Sequence, residues 1–464
     1  MHQSIPSKLL FFSIFVALGS LLFILTLTLG YSSIHAGILS LSPLFPFLIF
    51  AFPFTTLGIL LVVRPSLDYL SDTLSFSLPF GDGLSVTLSQ GFGLGVVFLS
   101  LLFFLRYKRA ILSHALSSFF LVLLGWGGFT LFYTINTSQT LYELLRLFSI
   151  FFIFSFSYFL INKEGSFVRL LFIILLSSCI PILTAWYQFI RGIGYTDDAF
   201  SLPRIYGTFA HPNIFALYLI IVIAAIFLLF LFLKKPSSKI VLTAILSVVL
   251  VTFFFTYSRA AWGTFFFFSS LLVLYKYPKT LPALILLPLI LFSFSENVQD
   301  RVRDVLNFSQ SSSLSWRLQI WDDTLSKTQE EGKTLFGYGL NTFEGVAESL
   351  RGIQFAVNDP HSEFVRSFVE GGYVGLCIFL VFSLAPIVFL GKHIFFLYSQ
   401  ETNSSPENIK KKTLFFILIA LLVSLFLLSF TDHVLRSTMV QWSLWAILGG
   451  ALRVYAPKIP LFHK

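Results

Sequence analysis

Apolar runs of roughly 20 residues, each long enough to cross a bilayer as a helix, recur along almost the whole chain. They predict spans at Leu9–Gly30 and, near the middle of the chain, at Gly91–Leu105, Ala110–Tyr133, Glu143–Ile161, Phe167–Ile190, Asn213–Leu233, Ile240–Thr256, Ala260–Tyr275 and Leu281–Phe294. Three more follow at Tyr373–Leu390, Leu414–Phe430 and Ser437–Leu452. The run Ile38–Val63 is broken by Pro43, Pro46 and Pro53 and fits either one kinked span or a short hairpin. A polar stretch rich in Ser, Pro and Gly, Arg64 to Gln90, comes after it. The pattern predicts an all-α, polytopic integral membrane protein of about 12 to 14 transmembrane helices. One long polar segment, Ser295–Gly372, interrupts it and is expected to be a large loop containing short helices. The chain therefore divides into a bundle with short loops (1–294), the loop (295–372) and C-terminal membrane helices (373–464).

Composition excludes a water-soluble alternative. Of 464 residues, 56% are hydrophobic and 11% charged, and 59 are Phe. Soluble domains carry about 25% charged residues. The net charge of +9 is not a nucleic-acid footprint, because the basic residues lie in short clusters between apolar runs. Leu9–Gly30 is too long for a signal-peptide core and is read as a retained span. Cys179 and Cys377 lie inside apolar runs with neither disulfide nor metal-ligand spacing.

The clusters set an orientation, since Lys and Arg mark cytoplasmic loops. With Arg106, Lys108 and Arg109 inside, alternation puts Lys163, Arg169, Lys234, Lys235, Lys239, Lys276, Lys279, Lys392, Lys410, Lys411, Lys412, Arg453 and Lys458 on the same side. The segments Asn136–Thr140, Arg191–Pro212, Ser258–Arg259, Ser295–Gly372 and Thr431–Arg436 then share the opposite face. The N-terminal third does not close as cleanly: Ile38–Val63 counted once gives an external N-terminus, and counted as a hairpin an internal one.

That outer face gathers Arg204, His211, Arg259, Arg317 and His361. Arg259 lies between two spans with almost no loop, and a snorkelling Arg would be expected on the cytoplasmic side instead. Its outward position favours function. His211, before Pro212-Asn213 at a helix start, is more simply a capping residue than a catalyst. Arg317 lies beside a helical stripe of Leu314, Leu318, Trp321 and Leu325 that Gly332 ends; such a helix would lie along the membrane plane. His361 follows Asp359-Pro360, which can cap and start a helix; in the first turn the helix dipole would keep the imidazole neutral and proton-accepting. That helix is expected to break at Gly371-Gly372. A structural histidine fits the same position equally well. Arginines bind phosphate bidentately, and a neutral histidine can deprotonate a hydroxyl. With no carboxylate cluster of metal-binding type in the sequence, the set fits metal-independent transfer of a glycan from a lipid diphosphate to a hydroxyl acceptor.

The order of short motifs resembles the O-antigen ligase and O-antigen polymerase superfamily. The resemblance rests on Arg204-Ile205-Tyr206-Gly207-Thr208-Phe209 before Pro212-Asn213, Tyr257-Ser258-Arg259-Ala260, and Trp316-Arg317 ahead of Leu335-Phe336-Gly337-Tyr338-Gly339. Pro360-His361-Ser362-Glu363-Phe364 and Glu370-Gly371-Gly372 complete it, and it is strongest from about Arg204 to Leu390. It implies an inverting, metal-independent glycosyltransferase of the GT-C type without cofactors, multi-pass in the bacterial inner (cytoplasmic) membrane. Its donor would be a glycan on undecaprenyl diphosphate at the periplasmic face. Its acceptor would be lipid A-core, as in lipopolysaccharide biosynthesis, for a ligase, or another lipid-linked repeat unit for a polymerase. By matching position, Arg204, Arg259 and Arg317 would contact the diphosphate, and His361 would activate the acceptor. His211, Tyr257, Gly337, Gly339 and Asn341 join Arg204 as substrate-binding candidates. One dominant loop favours the ligase; a polymerase and a protein-glycosylating ligase share its chemistry. A polysaccharide transporter or flippase is the non-enzyme alternative, and nearly charge-free spans argue against it.

Overall fold

The computed structural model describes residues 51–71, 75–77, 85–87, 114–197, 200–282, 313–351, 359–399 and 405–456, with short pieces within 16–24, 93–107 and 284–299. The predicted span Leu9–Gly30, most of Leu281–Phe294, the first part of the long loop and the cluster around Arg106 to Arg109 lie largely outside the described residues, as does the N-terminal orientation.

Among the described residues the protein is a polytopic helical bundle. Six helices are long and apolar enough to cross a membrane: Thr137–Leu160, Glu164–Arg191, Pro212–Phe230, Pro236–Phe254, Glu363–Ser399 and Pro406–Leu428. Shorter apolar helices lie at Pro53–Leu67, Gly95–Phe104 and Ala115–Thr130, and Arg259–Lys276 and Thr438–Tyr455 complete the bundle. The only strands described are two small hairpins, Ser75–Ser77 with Ser85–Thr87 and Tyr195–Asp197 with Phe200–Arg204.

Local chemistry sets the helix ends. Asn136 accepts the Gln139 N–H at 3.1 Å, Ser405 accepts that of Asn408 at 3.2 Å, and Pro212, Pro236 and Pro406 open their helices where no N–H is needed. The helix Pro212–Phe230 is buried over most of its length and forms the middle of the bundle, whereas Pro236–Phe254 is mostly exposed, as a lipid-facing helix would be. Thr438–Tyr455 packs along Thr137–Leu160, with Trp445 edge-on to Phe120 and Phe154.

The two ends of the bundle sort as the charge alternation predicts. At one end Lys410 pairs with Glu164 at 2.8 Å, Tyr455 reaches the same carboxylate, and Arg453 lies over Tyr158. At the other end the segment after Ala115–Thr130 binds the Gly-rich part of the long loop: Ile135 N–H donates to the Tyr338 carbonyl, and the Thr140 hydroxyl to that of Leu340. Arg317 donates to the Thr431 carbonyl at 3.2 Å, and Ile205 bonds Phe255, next to Arg259.

One boundary differs from the sequence prediction: the helix Pro53–Ser71 runs through Arg64 and Pro65 into the stretch read as polar. The helix after Asp359-Pro360 opens at Glu363, and its expected break falls at Gly372, with φ 61° and ψ −158°, as a kink within Glu363–Ser399. The kink frees backbone groups, and the loop takes them up: Tyr338 and Gly339 N–H donate to the Val369 and Glu370 carbonyls, and Tyr373 N–H donates to that of Thr334. Gly337 (φ 68°) and Gly372 touch the opposing backbone where a Cβ would collide, at Glu370 and Leu335 respectively. The two Gly-containing motifs are therefore halves of one joint.

The loop helices Ser313–Glu330 and Phe343–Arg351 share a small core of Ile320, Tyr338, Phe343, Val346, Ala347 and Val369. The stripe is rotated from the predicted one: Leu318 is exposed, and Ile320, Thr324 and Thr328 are buried. The helix packs on protein.

Where Thr137–Leu160 meets Glu363–Ser399, the buried carboxylates of Glu143, Glu363 and Glu370 surround Arg366, which contacts them at 3.2, 3.7 and 3.0 Å. Arg146 pairs with Glu143 from within the same helix. A buried charge left without its partner destabilises by about 3–5 kcal/mol. Arg366→Ala leaves Glu363 and Glu370 without a cation and Glu143 with Arg146 alone, so the purified protein in detergent is expected to lose about that much stability, or not to accumulate folded. A melting temperature equal to wild type would show that the network does not hold these helices together.

Candidate active site

The loop 429–437 joins Pro406–Leu428 to Thr438–Tyr455, and the buried network pins it. Leu435 N–H donates to Glu363 at 2.9 Å, and Arg146 donates to the Leu435 carbonyl. Glu370 performs the same service for the other loop, accepting the N–H groups of Asn341 (2.8 Å) and Phe343 (3.3 Å). Two loops distant in sequence are thus fixed to one helix, just below His361.

His361 does not occupy the first helical turn. It precedes the helix, which opens at Glu363, and holds φ 47°, a left-handed conformation uncommon outside glycine. The ring therefore lies outside the first turn, where the helix dipole was expected to keep it neutral. Asp359 accepts the His361 N–H at 3.0 Å, and Trp321 donates to the Pro360 carbonyl at 2.6 Å, which together hold the strained turn.

Around His361 lie groups that the sequence reading did not single out. Asp432 places a carboxylate oxygen 3.8 Å from His361 Nδ1, and the buried Nδ1 has no hydrogen-bond partner. His433 Nε2 bonds Asp359, and the His433 ring stacks with that of His361 at 5.7 Å between centroids. Arg436 bridges Asp359 (3.4 Å), Asn341 (3.3 Å) and Glu344 (2.7 Å). One signal for these residues was available: Asp432, His433 and Arg436 interrupt two long apolar runs on the side that alternation assigns to the loop. What remained invisible was the approach of His433 to His361 across the chain.

Burial alone would raise the Asp359 and Asp432 carboxyls. The neighbouring histidines outweigh it, through hydrogen bonding and charge, and hold both below the usual carboxylate range. Arg317 is half-buried. Burial lowers its pKa and the charge of Arg259 adds to that, while Asp432 and Asp359 act in the opposite sense. Arg259, Arg317, Asp432, Asp359 and His361 therefore form one electrostatic group.

The other sequence candidates lie around it. Arg204 is buried, with Nε donating to the Thr256 carbonyl at 2.9 Å and Nη2 to Asn213 at 2.7 Å, and so ties its loop to the Tyr257–Arg259 turn. His211 caps Pro212–Phe230, its Nδ1 accepting from Asn213 at 3.1 Å, and its ring meets Tyr195. Tyr257 is buried at φ 49° among Phe254, Phe255 and Trp262. Gly339, at φ 106°, lies where a Cβ would strike Thr134. Asn341, at φ 58°, donates to Gln139 at 2.9 Å and accepts from Arg436. Gly337, Gly339 and Asn341 thus serve the seating of the loop, and Asn341 also borders the charged group. The sequence offers no metal-binding carboxylate cluster, yet the fold brings donor atoms of Asp359, His361 and His433 within 4.8 Å of one another.

Residues 242–380 match the family described as O-antigen ligase. The match covers under a third of the chain and includes Arg259, Arg317, Gly337, Gly339, Asn341 and His361. Arg204, Asp432, His433 and Arg436 lie outside it. No curated protein matches the chain. Among the described residues the fold is that of a polytopic all-α membrane protein, and over residues 242–380 the chain is similar to the O-antigen ligase family.

The carboxyl shifts have a definite sign. A carboxyl held below its ordinary value of 3.8 stabilises the fold in full above that pH and loses the contribution as pH falls through its lower folded value. The stability gap between wild type and a D359N/D432N variant should therefore be widest near neutrality and shrink below about pH 4. Thermal melts across pH read this directly, and a gap that widens in acid would contradict the assignment.

Proposed function

We propose that the protein transfers a glycan from undecaprenyl diphosphate to a hydroxyl acceptor at the periplasmic face of the bacterial inner membrane, as an O-antigen ligase with lipid A-core as acceptor. The observation that carries this reading is the placement of Asp432 against His361 Nδ1, with Arg317 and Arg259 in the same electrostatic group. Asp432 favours the tautomer with the proton on Nδ1, which leaves Nε2 to accept one. His361 Nε2 takes the acceptor's hydroxyl proton as the oxygen attacks the anomeric carbon. The bond from that carbon to the diphosphate oxygen breaks, and the diphosphate leaves with the electron pair. Arg317 and Arg259 neutralise the growing charge on it. Attack opposite the leaving group inverts the anomeric centre, and no step calls for a metal. Arg204 supports the Arg259 turn from behind.

The polymerase reading keeps the same chemistry with a lipid-linked repeat as acceptor. The long loop of Ser313–Glu330 and Phe343–Arg351, against the short hairpin at Tyr195–Arg204, favours the ligase. A gel of surface polysaccharide from a deletion strain separates the two: a core lacking all glycan marks a ligase, a single added repeat a polymerase.

His361→Ala is expected to abolish transfer, and Asp432→Asn to lower kcat by about 10²–10⁴-fold, the usual worth of general base catalysis, at normal protein levels. Arg259→Lys should also fail, because an ammonium lacks the planar fork. Long-chain surface glycan at wild-type levels in H361A would remove His361 as the base.

A further inference from the structure

Beyond the proposed transfer, we infer that Asp359, His361 and His433 form a binding site for a divalent transition-metal cation of the zinc class. Each residue offers one donor atom, and the three atoms lie within 4.8 Å of one another. Two imidazole nitrogens and a carboxylate oxygen are the donors zinc prefers, whereas magnesium and calcium favour all-oxygen shells. Asp432, 3.8 Å from His361 Nδ1, stands ready as a fourth group.

Two further features point to a ligand. The buried Nδ1 atoms of both histidines lack hydrogen-bond partners, so the ring pair is not satisfied by protein alone. The surroundings already orient the donors, as outer contacts of metal sites do. Asp432 accepts the His433 N–H at 2.8 Å, Arg436 holds the second Asp359 oxygen, and Asp359 accepts the His361 N–H. His433 is buried while Asp359 and His361 are half-exposed, so the three donors lie at the boundary between protein and solvent.

The arginines nearby oppose any cation. Binding must then come from coordinate bonds to nitrogen, which selects zinc-like ions over magnesium. A cation bound there would take the imidazole lone pair that the acceptor's proton needs. Metal and transfer would exclude each other at His361, making the ion an inhibitor. This consequence rests on the base reading of His361; the binding itself does not.

The test uses full-length protein in detergent, freed of any histidine tag. Zinc is titrated by competition with a chromophoric chelator, and cobalt(II) is followed by its visible absorption. Wild type is expected to bind one ion per chain. H433Q and D359N should each weaken it about tenfold or more, with R317A as a control that keeps the site. A melt of each variant without metal checks folding, and zinc should raise the melting temperature of wild type and R317A more than that of H433Q or D359N. Absence of zinc and cobalt uptake by wild type, or unchanged affinity in folded H433Q and D359N, would overturn the site. Zinc should also inhibit transfer, reversibly by chelator. Binding at one ion per chain without inhibition would uphold the site and remove His361 as the base.

Discussion

Arg366 is the constraint on which the candidate site depends. It is buried where two membrane helices meet, and it touches Glu143 on one, and Glu363 and Glu370 on its own. Three carboxylates against the two guanidiniums of Arg146 and Arg366 leave one negative charge unbalanced, with Arg436 the next positive charge acting on Glu143. Buried ion pairs are weak evidence of stability, because well-packed apolar residues often do as well. Their value here is geometric. Glu363 and Arg146 fix Leu435, and Glu370 fixes Asn341 and Phe343. Carboxylates that were only balancing charge would have no reason to accept backbone N–H groups from two separate loops. The network converts the packing of two helices into the positions of Asp432 and Arg436 relative to His361.

The kink at Gly372 acts in the same direction. An unbroken helix would leave the Val369 and Glu370 carbonyls to its own next turn. The break frees them, and Tyr338 and Gly339 bind there instead. Glycine is needed on both sides because the two backbones approach too closely for any Cβ. Glycines and Asn341 that resemble substrate-binding elements by motif are thus explained first by the docking of the loop. Motif position alone does not separate a residue that touches substrate from one that seats the loop.

The architecture was legible because membrane spans need long apolar runs and basic residues choose a side. Lys410 with Glu164 at one end, and Arg317 with Thr431 at the other, follow that alternation. His361, Arg259 and Arg317 were legible as charges where the membrane tolerates few. Asp432, His433 and Arg436 were not, since a short polar turn between two spans is expected of any membrane protein and only folding brings it beside His361. The helix boundary near Arg64 was not legible for a related reason: polar residues at a helix end look like the start of a loop until the fold shows the helix running through them. The break at Gly371-Gly372 was legible, because paired glycines mark a place where a helix readily gives way.

Backbone strain offers an independent line. Among the described residues, the non-glycine positions with positive φ are Tyr257, Asn341 and His361. Each conformation costs of order 1–3 kcal/mol and persists only where surrounding contacts over-determine it. Those contacts are present: Asp359 and Trp321 for His361, Glu370 and Gln139 for Asn341, and an aromatic cage for Tyr257. Strain spread at random would favour exposed turns. Here it falls at the histidine, at the loop that Arg436 holds, and at the turn that presents Arg259. A fold that sustains distortion at these three places, and supports each with specific contacts, is organised to aim side chains at the end of the bundle where the two pinned loops meet.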